Sequence, residues 1–332
     1  MKTRLGILAL LLSIACCATS PLASAQSVCF LGQAWFFTAI PFGWSIDLTD
    51  TGPTFFTIKA PTINCAPQNA QNESQAKCPY CSNPISLATG NTFIVQNDVK
   101  LPGLGGGLSL TRTWNSQWPA SQVASSVGLF GPNWRSTYEE RIFMGADLYM
   151  KYARSDGSYW SFGLKSDDTF GFAAPANVAA TLIQTASYLS LTFQNGEQRR
   201  FNLTTGVLTA IVDRNGNTTQ LTYDSSNRLT TVTDPAGRHL YFNYGSPSSF
   251  LVTSVTSDFG VTLSYTYDGQ GRLSQVTEPD TTTVSFTYDA QSRITQVTDS
   301  NGKVLEAHTY DSAGRGLTAS QANGTNAVAI TY

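Results

Sequence analysis

The stretch Tyr288-Asp289-Ala290-Gln291-Ser292-Arg293-Ile294-Thr295-Gln296-Val297-Thr298-Asp299 decides the fold, because it keeps returning. Tyr223-Asp224, Tyr267-Asp268 and Tyr310-Asp311 open the same phrase, and Arg228, Arg272, Arg293 and Arg315 follow each turn. Tyr244 fills the gap between the first two beats, Phe201 stands one beat before them and Tyr332 one beat after the last. From Phe201 onward the spacings are 22, 21, 23, 21, 22 and 22 residues. A fixed period of this size marks a repeat architecture.

Each unit carries its own folding instructions. Before the tyrosine, alternation (Leu240, Phe242, Tyr244; Val261, Leu263, Tyr265, Tyr267; Val284, Phe286, Tyr288) puts apolar side chains on one face of a strand. A polar turn follows, as in Asp224-Ser-Ser-Asn227 and Asp268-Gly-Gln-Gly271, built from residues that bond their own backbone or accept positive φ. A second strand then shows an apolar pair three apart: Leu208/Ile211, Leu229/Val232, Leu273/Val276 and Ile294/Val297. Three is the wrong spacing for a flat strand, so a β-bulge or sharp twist is expected in every unit. A second turn closes the unit, as in Asp213-Arg-Asn-Gly216, Asp234-Pro-Ala-Gly237 and Asp299-Ser-Asn-Gly302. A lone hairpin is marginal in water, whereas stacked hairpins can share one curved sheet.

The phrase Tyr-Asp-x-x-(Gly/Asn/Ser)-Arg-(Leu/Ile)-x-x-Val-x-Asp resembles the YD repeat of the RHS proteins. That grouping includes bacterial polymorphic toxins, insecticidal toxin-complex shell proteins and animal teneurins. A second set of motifs resembles the domain that opens such arrays. It comprises Asn83-Pro-Ile-x-x-Ala-Thr-Gly90, Leu101-Pro-Gly-Leu-Gly-Gly-Gly-Leu-Ser-Leu-Thr-Arg-Thr-Trp-Asn-Ser116, Gly128-Leu-Phe-Gly-Pro-Asn-Trp134 and Tyr138-Glu-Glu-Arg-Ile142. Arg154-Ser-Asp-Gly-Ser-Tyr-Trp-Ser-Phe162 continues it as a hairpin around Asp156-Gly157. The resemblance implies that long arrays spiral into a hollow shell, which in toxin members encloses a C-terminal effector.

Composition agrees with a β-rich, uncharged wall. Of 332 residues, 41% are hydrophobic and 13% charged, and the net charge is −2, so solubility rests on Thr, Ser, Asn and Gln. Threonine supplies 24 of the 132 residues from 201 onward, which favours strands. No basic stripe is present, which argues against a nucleic-acid partner. Lys2 and Arg4 precede an apolar run from Leu5 to about Ala15, and Ala23-Ser24-Ala25 supplies a small-residue cleavage site. This predicts a signal peptide over 1–25 and an exported protein: secreted, periplasmic or at the cell surface. The run is too short to span a bilayer, and no transmembrane segment is expected.

Cys29, Cys65, Cys78 and Cys81 follow that leader. In an exported chain they read first as disulfides, Cys29 with Cys65 and Cys78 with Cys81, out of three connectivities. Cys78-Pro-Tyr-Cys81 also copies a redox motif, but the expected βαβ context is missing; a four-cysteine zinc site is the other alternative. Trp35-Phe36-Phe37, Phe42-Gly-Trp44 and Phe55-Phe56 read as core strands, with a carbohydrate-stacking platform as the sharper alternative.

Catalytic readings fare poorly. Gly103–Gly107 lacks the Gly-Lys-Ser/Thr of a phosphate loop and lies between strands. His239 and His308 fall on predicted strands without a nucleophile elbow, and the carboxylates fall mostly at turns.

The sequence therefore predicts an all-β chain. It divides into 1–25, a cysteine-containing aromatic segment 26–82, an opening β domain 83–195 and about six YD units over 196–332. No cofactor, metal or catalytic residue is expected. The expected role is a non-enzymatic module, either the opening part of a shell or a surface scaffold, with a carbohydrate-binding adhesin as the alternative. The expected partners are further YD repeats or another β-rich protein at the C-terminal edge, and, for the adhesin, glycans. Too few units to close a shell, and no effector or self-cutting segment before Tyr332, predict a truncated product or a fragment of a longer protein.

Overall fold

The computed structural model describes residues 84–332 apart from 88, 118–126, 146, 148, 165–170 and 177, plus the backbone of the paired strands Ser45–Asp47 and Thr57–Lys59. The expected leader, the four cysteines with their disulfides, and Trp35, Trp44 and Trp118 lie outside the described residues.

From Arg141–Met144 to Thr325–Ala329, nineteen strands form one antiparallel sheet, each paired with its sequence neighbours. The two end strands share no ladder, so the sheet is open and curved. It runs through residues 195 and 196 without a break, because Tyr188–Phe193 pairs with Gln198–Asn202 over five residues.

The bend is written into every unit. Pairing slips between Thr222 and Tyr223, Asn243 and Tyr244, Thr266 and Tyr267, Thr287 and Tyr288, and Thr309 and Tyr310. Opposite these slips, Leu229 and Val232, Leu273 and Val276, and Ile294 and Val297 are buried with two half-buried residues between them. Val252 and Val255 do the same. The expected bulge is thus present, and it lets residues three apart face one core. Leu208/Ile211 departs from the expectation: Ile211 is half-buried, while Ala210 and Val212 beside it are buried. After Tyr223, Tyr267, Tyr288 and Tyr310, the fourth turn residue takes the left-handed conformation: Asn227 at φ 59°, Gly271 at 73°, Ser292 at 63° and Gly314 at 83°. This is why Asn, Gly and Ser alternate there.

The opening segment supplies the inner filling. Phe93–Leu101, Leu108–Asn115 and Trp134–Ser136 form a separate three-stranded sheet. The chain reverses between its first two strands at Leu104–Gly106, where a Cβ on Gly107 would lie 2.0 Å from the Leu101 carbonyl oxygen. That close approach accounts for at least one glycine of the run.

This small sheet lies against the repeats. The Trp134 ring packs edge-on to Phe286 at 5.3 Å, Phe130 lies 4.8 Å from Tyr265, and Tyr138 meets Phe242 at 6.3 Å. The Val252 N–H donates to the Leu129 carbonyl at 2.8 Å, and the Gly316 N–H to the Gly90 carbonyl at 2.8 Å. A Cβ on Gly316 would meet the Thr92 hydroxyl at 2.5 Å, so glycine is what lets the segment before the inner sheet approach the repeats there. Trp114, Trp134, Phe130, Phe201, Leu229, Val232, Leu273 and Val276 share one continuous buried cluster. Neither layer could bury its apolar face alone.

Candidate functional site

The repeat-defining residues meet across unit boundaries. Each tyrosine hydroxyl donates to a carbonyl at the preceding bulge: Tyr223 to Leu208 at 2.6 Å, Tyr244 to Leu229 at 2.8 Å and Tyr267 to Val252 at 2.6 Å. Tyr288 to Leu273 at 2.7 Å, Tyr310 to Ile294 at 2.7 Å and Tyr332 to Gly316 at 2.9 Å continue the series. A bulge interrupts the ladder and leaves backbone groups in need of partners, and the phenol supplies one. Burial pushes the hydroxyls of Tyr223, Tyr244, Tyr267 and Tyr310 well above the ordinary tyrosine range, and that of Tyr288 up to about 12. They stay protonated donors.

The aspartate and arginine close the turn and reach onward. Asp268 accepts the N–H of Gln270 at 2.9 Å and of Arg272 at 3.0 Å on one oxygen, and the Arg272 Nε at 2.6 Å on the other. Asp224 with Arg228, Asp289 with Arg293 and Asp311 with Arg315 repeat the pair at 2.7, 2.7 and 2.8 Å. Each guanidinium then covers the next unit's ring. The distance is 4.7 Å for Arg228 over Tyr244, Arg272 over Tyr288 and Arg293 over Tyr310, and 4.1 Å for Arg315 over Tyr332. Arg272 and Arg293 also donate to the next turn's carbonyls, those of Asp289 and Asp311, both at 3.2 Å. One residue thus ties its own turn, the next aromatic ring and the next turn.

A second constellation anchors the inner sheet. Arg112 grips Asp98 through two hydrogen bonds of 2.5 and 2.8 Å, with both side chains 1% exposed. The Tyr265 hydroxyl donates to the same carboxylate at 2.7 Å. The guanidinium lies between the rings of Trp134 at 4.9 Å, Tyr265 at 5.3 Å and Phe130 at 5.5 Å. Tyr265 holds the place that Phe242 and Phe286 hold in neighbouring units; its hydroxyl is the added feature, and Asp98 uses it. Burial, then the Asp98 carboxylate, raise the Tyr265 hydroxyl far above its usual range.

Two further buried clusters lie where the long sheet begins. Glu140 accepts from the Tyr152 hydroxyl at 2.8 Å and from Arg199 at 2.9 Å. Lys151, fully buried, donates to Asp147 and, at 2.7 Å, to the Ser161 hydroxyl. Ser161 and Lys151 are both at 0% exposure, so no substrate can approach the pair. His239 pairs with Asp258 at 2.8 Å on the outer face, and His308 with Glu306 at 3.3 Å. Among the described residues no group of three or more His, Cys, Asp or Glu could hold a metal, and no helix is long and apolar enough to cross a membrane.

Sequence reasoning missed Asp98, Arg112, Glu140 and Lys151 as structural centres. Arg112 stood inside a quoted motif, but an arginine between threonines on a strand reads as solvent-facing until its partner 14 residues earlier is placed opposite.

Comparison with known proteins follows the same lines. A family model described as RHS Repeat matches residues 204–239, 251–283 and 270–304, and one described as a domain of unknown function (DUF6531) matches 82–162. This is an RHS-repeat protein. Among curated proteins it is similar to the tRNA nuclease WapA of Bacillus subtilis, 32% identical over 149 residues, which are 45% of this chain and 6% of that protein. The tRNA3(Ser)-specific nuclease WapA of Bacillus spizizenii is 33% identical over the same length and shares. The RHS-repeat chain thus matches a small part of these relatives. Among solved structures, the Photorhabdus luminescens Tc holotoxin pore aligns with 70% of this chain and 12% of its own, at 16% identity and TM-score 0.31. The TcdB2-TccC3-TEV crystal structure aligns with 70% and 15%, at 11% identity and TM-score 0.27.

Proposed function

We propose that this RHS-repeat protein is a non-enzymatic building element, exported from the cell, that forms the opening section of a β-walled shell or a surface scaffold. The observation that carries this reading is the inter-unit latch: the residues that recur are spent on joining one hairpin to the next. The outer edge of Thr325–Ala329 faces no further strand among the described residues, and its side chains are mostly exposed. An unpaired edge is a template for another strand, from further YD units or from a β-rich partner. The nuclease activity named for the WapA relatives belongs to proteins of which this chain matches 6%. Among the described residues no group of three or more His, Cys, Asp or Glu could hold a metal for phosphodiester cleavage, and the purified chain is expected to leave tRNA intact.

The test is association at the edge. Sedimentation of the purified chain across a hundredfold range of concentration is expected to show self-association. Val328→Lys, which places a charge on the last strand, is expected to abolish it. A wild-type chain that stays monomeric and pairs with no added YD hairpin would remove the edge from the proposal, and cleavage of tRNA would remove its non-enzymatic character.

A further inference from the structure

After Tyr244 the repeat departs from its own rule, and it does so beside a groove. There the expected Asp-x-x-x-Arg turn is replaced by Gly245-Ser-Pro-Ser-Ser-Phe-Leu251, two residues longer than its counterpart Asp224–Arg228. Arg228 of the previous unit holds this loop through the carbonyls of Ser246, Pro247 and Ser249, at 3.0, 2.9 and 3.0 Å. The loop presents Phe250, at 58% the most exposed aromatic side chain among the described residues. Departures from an otherwise consistent local pattern are where function is to be sought.

Phe250 lines a cavity of about 590 Å³ together with Leu129, Glu139, Arg141, Thr205 and Asn227. That is within the size range of small-ligand sites, about 300–1,000 Å³. Three of these side chains carry a buried polar atom with no hydrogen-bond partner: Glu139 Oε2, Arg141 Nε and Thr205 Oγ1. Buried polar groups are almost always paired, so three orphans around one cavity need an explanation. The frame is fixed. Glu139 Oε1 accepts the Leu129 N–H at 2.7 Å, and Arg141 Nη2 donates to the Thr205 carbonyl at 3.2 Å. The Ile142 N–H donates to the Gly206 carbonyl at 2.9 Å.

The chemistry narrows the ligand. Glu139, with the Arg135 guanidinium beside it, and Arg141 put both signs of charge at the wall, which suits a neutral ligand better than a charged one. The lining turns at Thr204–Thr205 and Ser226–Asn227 offer no strand edge for a peptide to extend. A hydroxyl can donate to a carboxylate and accept from a guanidinium at once, and an aromatic face suits the C–H face of a sugar ring. We propose that this groove binds a neutral sugar, with its ring on Phe250 and adjacent hydroxyls shared between Glu139, Arg141 and Thr205. Binding requires all three side chains to turn toward the cavity, Arg141 leaving the Thr205 carbonyl, because Glu139 Oε2, Arg141 Nε and Thr205 Oγ1 are each covered in the free form. The site is independent of the scaffold role and could be lost without harm to it.

The experiment uses the intact chain on an array of neutral cello-, chito-, malto- and manno-oligosaccharides beside acidic polygalacturonate fragments, followed by titration calorimetry with the best neutral binder. At least one neutral series should bind, and Phe250→Ala, an exposed change that leaves the fold intact, should weaken it by about tenfold. Glu139→Gln should weaken it comparably; if that variant unfolds, Phe250→Ala alone decides. The proposal is overturned if no neutral oligosaccharide binds the folded protein, if only the acidic fragments bind, or if Phe250→Ala binds as the wild type does.

Discussion

The Arg272 guanidinium lies 4.7 Å above the ring of Tyr288, and the Tyr288 hydroxyl returns to the Leu273 carbonyl, the residue next to that arginine. Two neighbouring units therefore hold each other by reciprocal contacts. In a repeat array, stability is close to a sum of unit terms and nearest-neighbour terms, so this contact belongs to the second kind.

The latch should be measurable as a coupling. Tyr288→Phe removes only the hydroxyl and leaves a carbonyl at the bulge without its partner, so urea unfolding should report a loss of about 1–2 kcal/mol. A double-mutant cycle of Arg272→Met and Tyr288→Leu should give a coupling of about 0.5–1 kcal/mol, the range of a partly exposed cation–π contact. Strict additivity of the two changes would mean that the ring and the guanidinium are merely adjacent.

Thr281 takes φ 69° in the turn Glu278-Pro-Asp-Thr281, where other units place Gly216, Gly237, Gly260 or Gly302. A β-branched residue is strained in that conformation. Thr281→Gly should stabilise the protein by about 0.5–1 kcal/mol, the relief of strain exceeding the added freedom of the unfolded chain. Thermal unfolding that shows a lower midpoint for this variant would contradict the reading.

Asp98 and Arg112 should behave as a buried pair in which either partner alone is a liability. Asp98→Leu or Arg112→Met separately should cost about 3–5 kcal/mol, and the double change should recover much of that loss. The readout is the denaturation midpoint together with near-ultraviolet circular dichroism, which follows Trp134 against Phe286.

Acid should weaken the array through its turns. The backbone N–H of Arg228 holds the Asp224 carboxyl below the usual aspartate range, and that of Arg315 does the same for Asp311. A depressed carboxyl stabilises the fold above its unfolded value, about pH 4, and that contribution is lost as pH falls through the lower folded value. Unfolding followed from pH 5 down to pH 2 should steepen below about pH 4. Asp224→Asn with Asp311→Asn should lower stability at pH 6 and flatten the acid limb.

What was legible in the sequence was whatever repeats. The period, the alternation before Tyr244 and Tyr267, and the three-residue spacing of Leu229 and Val232 follow from local geometry, and each found its strand or bulge. Contacts between distant segments were not legible. Nothing in Thr111-Arg112-Thr113 announces a partner on another strand, and nothing in Tyr265 says that its hydroxyl reaches Asp98, 167 residues earlier. Ile211 misled because its unit is the first of the series, where Ala210 and Val212 are covered as well. The loop at Phe250 shows in the sequence only as the 23-residue spacing from Tyr244 to Tyr267, and its cavity needed Glu139 and Arg141 brought beside it.

The opening segment touches the wall from Asn217, against Gly105, to Gly316, against Gly90. Among the described residues no inner strand lies beyond that contact, so a ribbon laid after Thr325–Ala329 would turn its inward face to water or to some other tenant.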